Sequence, residues 1–188
     1  MSPSPLSDRH EAALAYLARG WSVVPIEPRG KRPLVPWRAL QTRLPTPEAV
    51  GGWFERWPDA NVAIVTGRRS GLVVVDVDPR HGGDASLAAF EREHAPLPAT
   101  VESLTGGGGR HVYFRHPGGR APNRVGLLPG IDVRGDGGCV VAPPSIHPSG
   151  VAYAWRAGRA PGAVPLAALP EAWLPAPAPA RRAPRTRG

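Results

Sequence analysis

Two aspartates one residue apart, Asp76 and Asp78, end the apolar run Gly71-Leu-Val-Val-Val-Asp-Val-Asp78. Such a run reads as a buried strand. A buried carboxylate needs a partner, because an unpaired buried charge is strongly unfavourable. Side chains two apart on a strand share a face, so the pair projects together, roughly 7 Å apart at Cα. It is able to share a divalent cation, while Val77 faces the other way, into packing. Taken alone, an Asp-x-Asp here is equally an ordinary strand-to-loop transition, with Asp78-Pro79 opening a turn.

Three further segments carry polar groups that a plain fold does not need. The first is Thr105-Gly-Gly-Gly-Gly-Arg-His-Val-Tyr-Phe114. Its glycines allow close backbone approach and can offer N–H groups to phosphate oxygens. It is not a P-loop, since no Gly-Lys-Ser/Thr follows and the next segment reads as a strand. On that strand His111 and Tyr113 share one face and Val112 and Phe114 the other. The plain alternative is a flexible hairpin loop with a surface histidine.

The second segment is Gly130-Ile-Asp-Val-Arg-Gly135. Asp132 and Arg134 share a strand face, either as a simple ion pair or as parts of a site. Beside two other carboxylates, Asp132 is a natural third metal ligand, with Arg134 placed to meet an anion bidentately. The third segment is Cys139-Val-Val-Ala-Pro-Pro-Ser-Ile-His-Pro-Ser-Gly150. It is a strand running into a rigid exit, with Ser145 and His147 on one face if the extension persists. A structural turn is its plain reading.

Together these residues offer three aspartates for Mg²⁺ or Mn²⁺, hard cations suited to oxygen ligands, and a histidine, an arginine and a glycine loop for phosphates. Two ions bridged by carboxylates can activate a 3′-hydroxyl and stabilise leaving pyrophosphate. That is nucleotidyl-transfer chemistry, although metal-dependent phosphoester hydrolysis uses similar parts.

The elements that must position these groups follow from pattern. Ser7 caps a helix from about Asp8 to Arg19, with Leu14 and Leu17 on its buried stripe and Gly20 as its stop. A strand covers Trp21 to Ile26, and a loop from Glu27 to Pro36 contains Gly30-Lys-Arg-Pro33. Thr46-Pro47-Glu48 starts a second helix, whose Val50, Trp53, Phe54 and Trp57 form one apolar core face. Asn61 to Thr66 and Leu72 to Asp76 are expected to pair as strands joined by Gly67 to Gly71. Asp84 caps a helix to Glu93. Strands are predicted at Thr100–Leu104, Arg110–Arg115, Gly130–Arg134, Gly138–Ala142 and Val151–Arg156, and a last short helix near Leu166–Leu174. Helices inserted between sets of strands give an α+β or mixed α/β fold.

The chain has 188 residues, enough for one domain with a sizeable core. The single cysteine, Cys139, excludes an internal disulfide and a cysteine-rich zinc site. No stretch approaches a membrane span and no signal pattern opens the chain, so a cytoplasmic protein with no membrane partner is expected. The net charge is +8, and Lys31 is the only lysine. Arg181, Arg182, Arg185 and Arg187 lie in a Pro-Ala-Arg tail, 175–188, expected to be disordered. Such a tail can touch nucleic acid through phosphates or serve as a linker.

In order, spacing and flanks, three motifs resemble the N-terminal domain of bifunctional DNA primase/polymerases, the Prim-Pol group of the archaeo-eukaryotic primase superfamily. They are Val73-Val-Val-Asp-Val-Asp78, Gly109-Arg-His111 before Val-Tyr-Phe114, and Ile131-Asp132, supported by Gly130–Gly138 and Ala142-Pro-Pro-Ser145. The resemblance covers about Ala12 to Leu174. It implies an RNA-recognition-motif-like catalytic sheet packed with an N-terminal αβ unit, in a catalytic domain over 8–174 after a short extension, 1–7. It implies that Asp76, Asp78 and Asp132 bind the catalytic Mg²⁺ or Mn²⁺ ions, with no zinc, and that His111 contacts the triphosphate. Gly109, Arg110, Arg134, Ser145 and Lys31, the last in a Lys-x-Pro element, complete the expected nucleotide-binding set. Implied partners are single-stranded DNA and NTP or dNTP. Larger members continue into a helicase or helical segment and this chain stops, so a helicase or replication initiator in trans is expected, in a plasmid, phage or integrative element. A non-catalytic binding module for replication and a metal-dependent nuclease or phosphoesterase are the competing functions.

Overall fold

The computed structural model describes residues 7–174. The basic tail and residues 1–6, most of the expected N-terminal extension, lie outside the described residues. Three helices are described: α1 (Asp8–Ala18), α2 (Pro47–Arg56) and α3 (Gly83–Glu93). Ten strands are described: β1 (Val23–Ile26), β2 (Asn61–Val65), β3 (Leu72–Val77), β4 (Val101–Leu104), β5 (Arg110–Arg115), β6 (Arg124–Leu128), β7 (Ile131–Arg134), β8 (Cys139–Val141), β9 (Ala154–Trp155) and β10 (Ala167–Ala168). The architecture is α+β with mostly antiparallel sheets. No helix among the described residues is long and apolar enough to cross a membrane.

Both cap signals act as their chemistry requires. The Ser7 hydroxyl accepts the His10 amide at 3.2 Å, and Thr46 Oγ1 accepts the Ala49 amide at 3.2 Å. Gly20, at φ +80°, ends the first helical segment. On α2, Val50 and Phe54 are buried, with Trp53 and Trp57 packed against the same core, and the His10 ring stacks on Phe54 at 5.2 Å.

A three-stranded sheet has the order β1-β2-β8. A larger one has the order β6-β7-β3-β5-β4-β9, with β10 parallel to β5. Alternation sends the side chains of β3 into two different cores. Val73, Val75 and Val77 join Leu87 of α3, Phe114, Ile131 and Trp173 behind the sheet. Leu72 and Val74 face forward, where Tyr113 and Val101 join Tyr16, Phe54, Val62 and Ile64 of the N-terminal unit. That unit covers only the apolar half of the front face. The polar half, beginning at Asp76, lines an open cleft.

Four expectations need correction. β2 and β3 are not a pair. Gly67 and Leu72 exchange backbone hydrogen bonds of 2.7 and 3.2 Å, but the ladder goes no further and the strands enter different sheets. Each has to bury both of its faces, so each takes a central position. Asp84 does not cap α3, which starts one residue earlier. The Gly83 amide donates to the Asp78 carbonyl at 3.0 Å, and Asp84 turns to Arg110 at 3.3 Å. The final helix is instead β10 and a single 3-10 turn, Glu171–Trp173, because Pro165 and Pro170 interrupt the helical hydrogen bonding. The strand expected over Val151–Arg156 shrinks to the two residues of β9. In addition β6 has no counterpart in the sequence reading: it is an exposed edge strand with Gly126 inside it.

Candidate functional site

Strand register builds the site. On β3, Asp76 lies directly opposite His111 of β5 and directly opposite Asp132 of β7. Facing residues on neighbouring strands bring their Cβ atoms to about 4.5–5.5 Å. Asp132, Asp76 and His111 therefore form one cross-strand row on the front face. Asp78 follows just beyond the strand end and turns into the same cleft, which encloses about 340 Å³.

Two facing carboxylates repel, and a cation sits between them. Arg134 Nη2 lies 2.5 Å from Asp132 Oδ2 and 3.9 Å from Asp76 Oδ2. Asp132 Oδ1 also accepts the Gly126 amide at 2.6 Å, so the unforeseen edge strand β6 serves to hold this acid. Asp78 is engaged by its own turn. Its carboxylate accepts the Arg80 amide at 3.0 Å and contacts the Arg80 guanidinium at 3.3 Å and His81 Nδ1 at 2.9 Å. Burial pushes the Asp78 carboxyl up, but these bonds outweigh it and bring it down to about 2.

His111 is buried, with Nε2 at 3.6 Å from Asp76 Oδ1 and Nδ1 enclosed without a hydrogen-bond partner. Burial lowers its proton affinity below the usual imidazole range, with Asp76 opposing and Lys31 and Arg134 adding to the shift. An orphaned polar atom in a buried ring beside an open cleft is a group awaiting a partner. Tyr153 packs against this ring at 6.0 Å. Burial, aided by Asp76, pushes its hydroxyl up to about 12, so it stays a phenol at neutral pH.

Lys31 is exposed and reaches over the cleft from the loop after β1. Gly109 lines the cleft floor, where a Cβ would lie 2.5 Å from the Val77 carbonyl oxygen, so strand packing requires glycine there. Asp76, Asp78, Asp132, His111, Arg134, Lys31 and Gly109 are thus brought together. Arg110 is not: it pairs with Asp84 on the back of the sheet. Nor is Ser145, which is fully buried with its hydroxyl bonded to the backbone N–H and C=O of Val62 at 2.9 and 3.0 Å. The cleft instead receives His147, from the same segment, together with Arg80, His81, Thr105 and Tyr153.

Among the described residues no three or more His, Cys, Asp or Glu side chains form a ready metal cage. The acids are turned onto arginines and histidines instead. The donor set nonetheless fits a hard divalent cation. Three carboxylates line one open cleft, two of them face each other across strands, and the basic groups holding them sit on flexible side chains.

The family model of the bifunctional DNA primase/polymerase N-terminal domain, Prim-Pol, matches residues 13–172. The chain belongs to the Prim-Pol family. The match runs from within α1 to the last 3-10 turn and so takes in the whole cleft. Membership suggests a DNA primase/polymerase and implies a nucleotidyltransferase. No curated protein matches the chain by sequence. Three of the Prim-Pol residues that sequence reading left out of the site had a visible signal. Arg80 and His81 directly follow the Asp-x-Asp, and His147 ends the Pro-Pro-Ser-Ile-His segment. Tyr153 had none, because only the tertiary fold carries β9 back over His111.

Proposed function

We propose that this Prim-Pol domain catalyses metal-dependent nucleotidyl transfer from NTP or dNTP, extending a primer or joining first nucleotides on single-stranded DNA. The observation that carries the reading is the cross-strand row Asp132–Asp76–His111 opening into one cleft with Asp78, in a chain of this family. The larger sheet is read as the RNA-recognition-motif-like sheet of a primase-polymerase fold. Its order β7-β3-β5-β4, with α3 between β3 and β4, supports that reading.

In this reading Asp76, Asp78 and Asp132 hold divalent cations. When bound, such ions supply a more acidic 3′-hydroxyl and charge stabilisation for departing pyrophosphate. Arg134, held by Asp132 and Asp76, is the guanidinium nearest the acid row and receives phosphate charge there. Neutral His111, backed by Tyr153, offers a hydrogen bond to phosphate from a dry wall, where such bonds are strongest. Lys31 screens the approach of the anion across the cleft mouth.

The test is incubation of the intact chain with single-stranded template, labelled NTP or dNTP, and Mn²⁺ or Mg²⁺. Template-dependent product is expected from the intact chain and none from Asp76→Ala. Equal product from both, or none from the intact chain, overturns the reading. DNA degradation in place of synthesis would favour a nuclease. DNA binding that is steeply salt-dependent and indifferent to Asp76→Ala would favour a non-catalytic module.

A further inference from the structure

Gly107 sits between two side chains from distant segments. A Cβ built on it would lie 3.2 Å from Arg80 Nη2 and 3.2 Å from His147 Nε2. Two nitrogen donors therefore converge on one small space that glycine leaves open. The placement of His147 is constructed rather than incidental. The Asn61 side chain and Ile146 backbone exchange two hydrogen bonds of 2.8 Å, fixing the preceding residue to β2. The ring is buried, and its Nδ1 is turned to its own loop, where the Ser149 amide donates to it at 3.1 Å. Ser149 Oγ, 2.9 Å from that nitrogen, donates onward to the Gly106 carbonyl at 2.8 Å. An amide can only donate, so Nδ1 carries the lone pair and the neutral ring bears its proton on Nε2, the nitrogen beside Gly107.

Arg80 reaches the same place with donors to spare. Its contacts to Asp78, 3.3 and 3.4 Å, are long for charge-assisted bonds and use only part of the guanidinium fork. Lys31 lines the cleft with both residues. After burial, Lys31 and then Arg80 hold the proton affinity of His147 down, so positive charge accumulates around this ring. Donors that converge on a space of positive potential suit an anion with several oxygens.

We infer that Arg80, His147 and Lys31 form a second phosphate subsite over Gly107, which takes the β- and γ-phosphates of the incoming nucleoside triphosphate. This rests on the nucleotidyl-transfer reading, which sets the α-phosphate at the Asp132–Asp76–His111 row. The subsite lies at the strand ends on the Asp78 side of that row, where the distal phosphates extend. His147 takes the place in the cleft that the Pro-Pro-Ser-Ile-His segment seemed to offer to Ser145.

The experiment is equilibrium binding of ATP and of AMP to the full chain with Mg²⁺ and no template, alongside thermal unfolding. The intact chain is expected to prefer ATP. His147→Ala removes a hydrogen bond to a charged group and is expected to weaken ATP about tenfold or more, leaving AMP unchanged. His147→Gln, which keeps a donor near the Nε2 position, is expected to retain most of the ATP affinity. Gly107→Ala offers an independent route. Gly107 lies outside the left-handed region, so alanine fits its backbone while its methyl enters the space between the two donors. ATP affinity unchanged in both His147→Ala and Gly107→Ala overturns the subsite. So does equal weakening of ATP and AMP, the mark of a merely structural role, and so does an intact chain that binds neither. The readout needs no polymerisation. A chain that shows the ATP-specific loss yet makes no product keeps the subsite and loses the primase reading. Normal synthesis with unchanged ATP binding in the variants does the reverse.

Discussion

Ser145→Ala separates a structural hydroxyl from a ligand-binding one. Ser145 is fully buried, and its hydroxyl accepts from the Val62 amide at 2.9 Å and donates to the Val62 carbonyl at 3.0 Å. It extends the β2–β8 ladder past the point where Pro143 and Pro144 can offer no N–H. Alanine leaves the Val62 carbonyl with a second donor, the Ala142 amide at 2.9 Å. The Val62 amide is left with nothing. A buried orphaned donor costs about 1–3 kcal/mol, and the space vacated by one oxygen adds little. For a domain of this size each kcal/mol moves the melting midpoint by about 2–4 °C, so a drop of roughly 4–8 °C is expected. ATP affinity should stay unchanged, because Asn61 still holds Ile146 and with it His147. Thermal and urea unfolding, with the urea slope preserved, and ATP titration measure the two quantities. An unchanged midpoint would refute the bridging role. Full stability with lost ATP affinity would return Ser145 to the nucleotide site.

Gly109→Ala forces a methyl against the Val77 carbonyl at 2.5 Å, where backbone cannot yield. It should separate β5 from β3, costing at least about 1–3 kcal/mol and primer extension together; wild-type melting and activity would disprove it. Arg110→Ala removes only an exposed pair with Asp84 on the back of the sheet, worth about 0–1 kcal/mol. ATP affinity should not change, and a clear loss would put Arg110 in the site after all. Asp136 pins three segments, accepting from the Ala121 and Arg68 amides at 3.0 Å and contacting buried His116 at 3.1 Å. Burial raises its carboxyl, but those bonds outweigh it and hold the pKa below the usual range. A depressed folded-state pKa gives stability that is full above the unfolded value near 4 and lost as pH falls through the lower folded value. The penalty of Asp136→Asn, from urea unfolding across pH, should therefore shrink in acid; a penalty constant down to about pH 2 rules this out.

Local chemistry made most elements legible. Ser7 and Thr46 act as caps, the valine run is a central strand, and the α2 aromatics are core, because each depends on neighbours within a few residues. What failed depended on distant ones. β2 and β3 look like a hairpin until two cores compete for their faces. β6 carries no apolar alternation, because it is an edge held by β7 and by Asp132. The segment from Leu166 to Leu174 lost its helix to Pro165, Pro170 and an open place beside β5, filled by Ala167 and Ala168.

The sequence by itself determined which groups can do chemistry: three aspartates, a histidine and an arginine at two-residue spacings that force them onto common strand faces. The period of a strand settles that much without any knowledge of the fold. Only the tertiary structure decided who meets whom. Register between β3, β5 and β7 sets Asp76 against both His111 and Asp132, although 35 residues separate Asp76 from His111 and 56 separate it from Asp132. The same packing sent Ser145 inward and His147 into the cleft from one short segment. Which side chain a turn presents depends on the backbone partners it must satisfy, here Val62 and Asn61 of a strand far earlier in the chain.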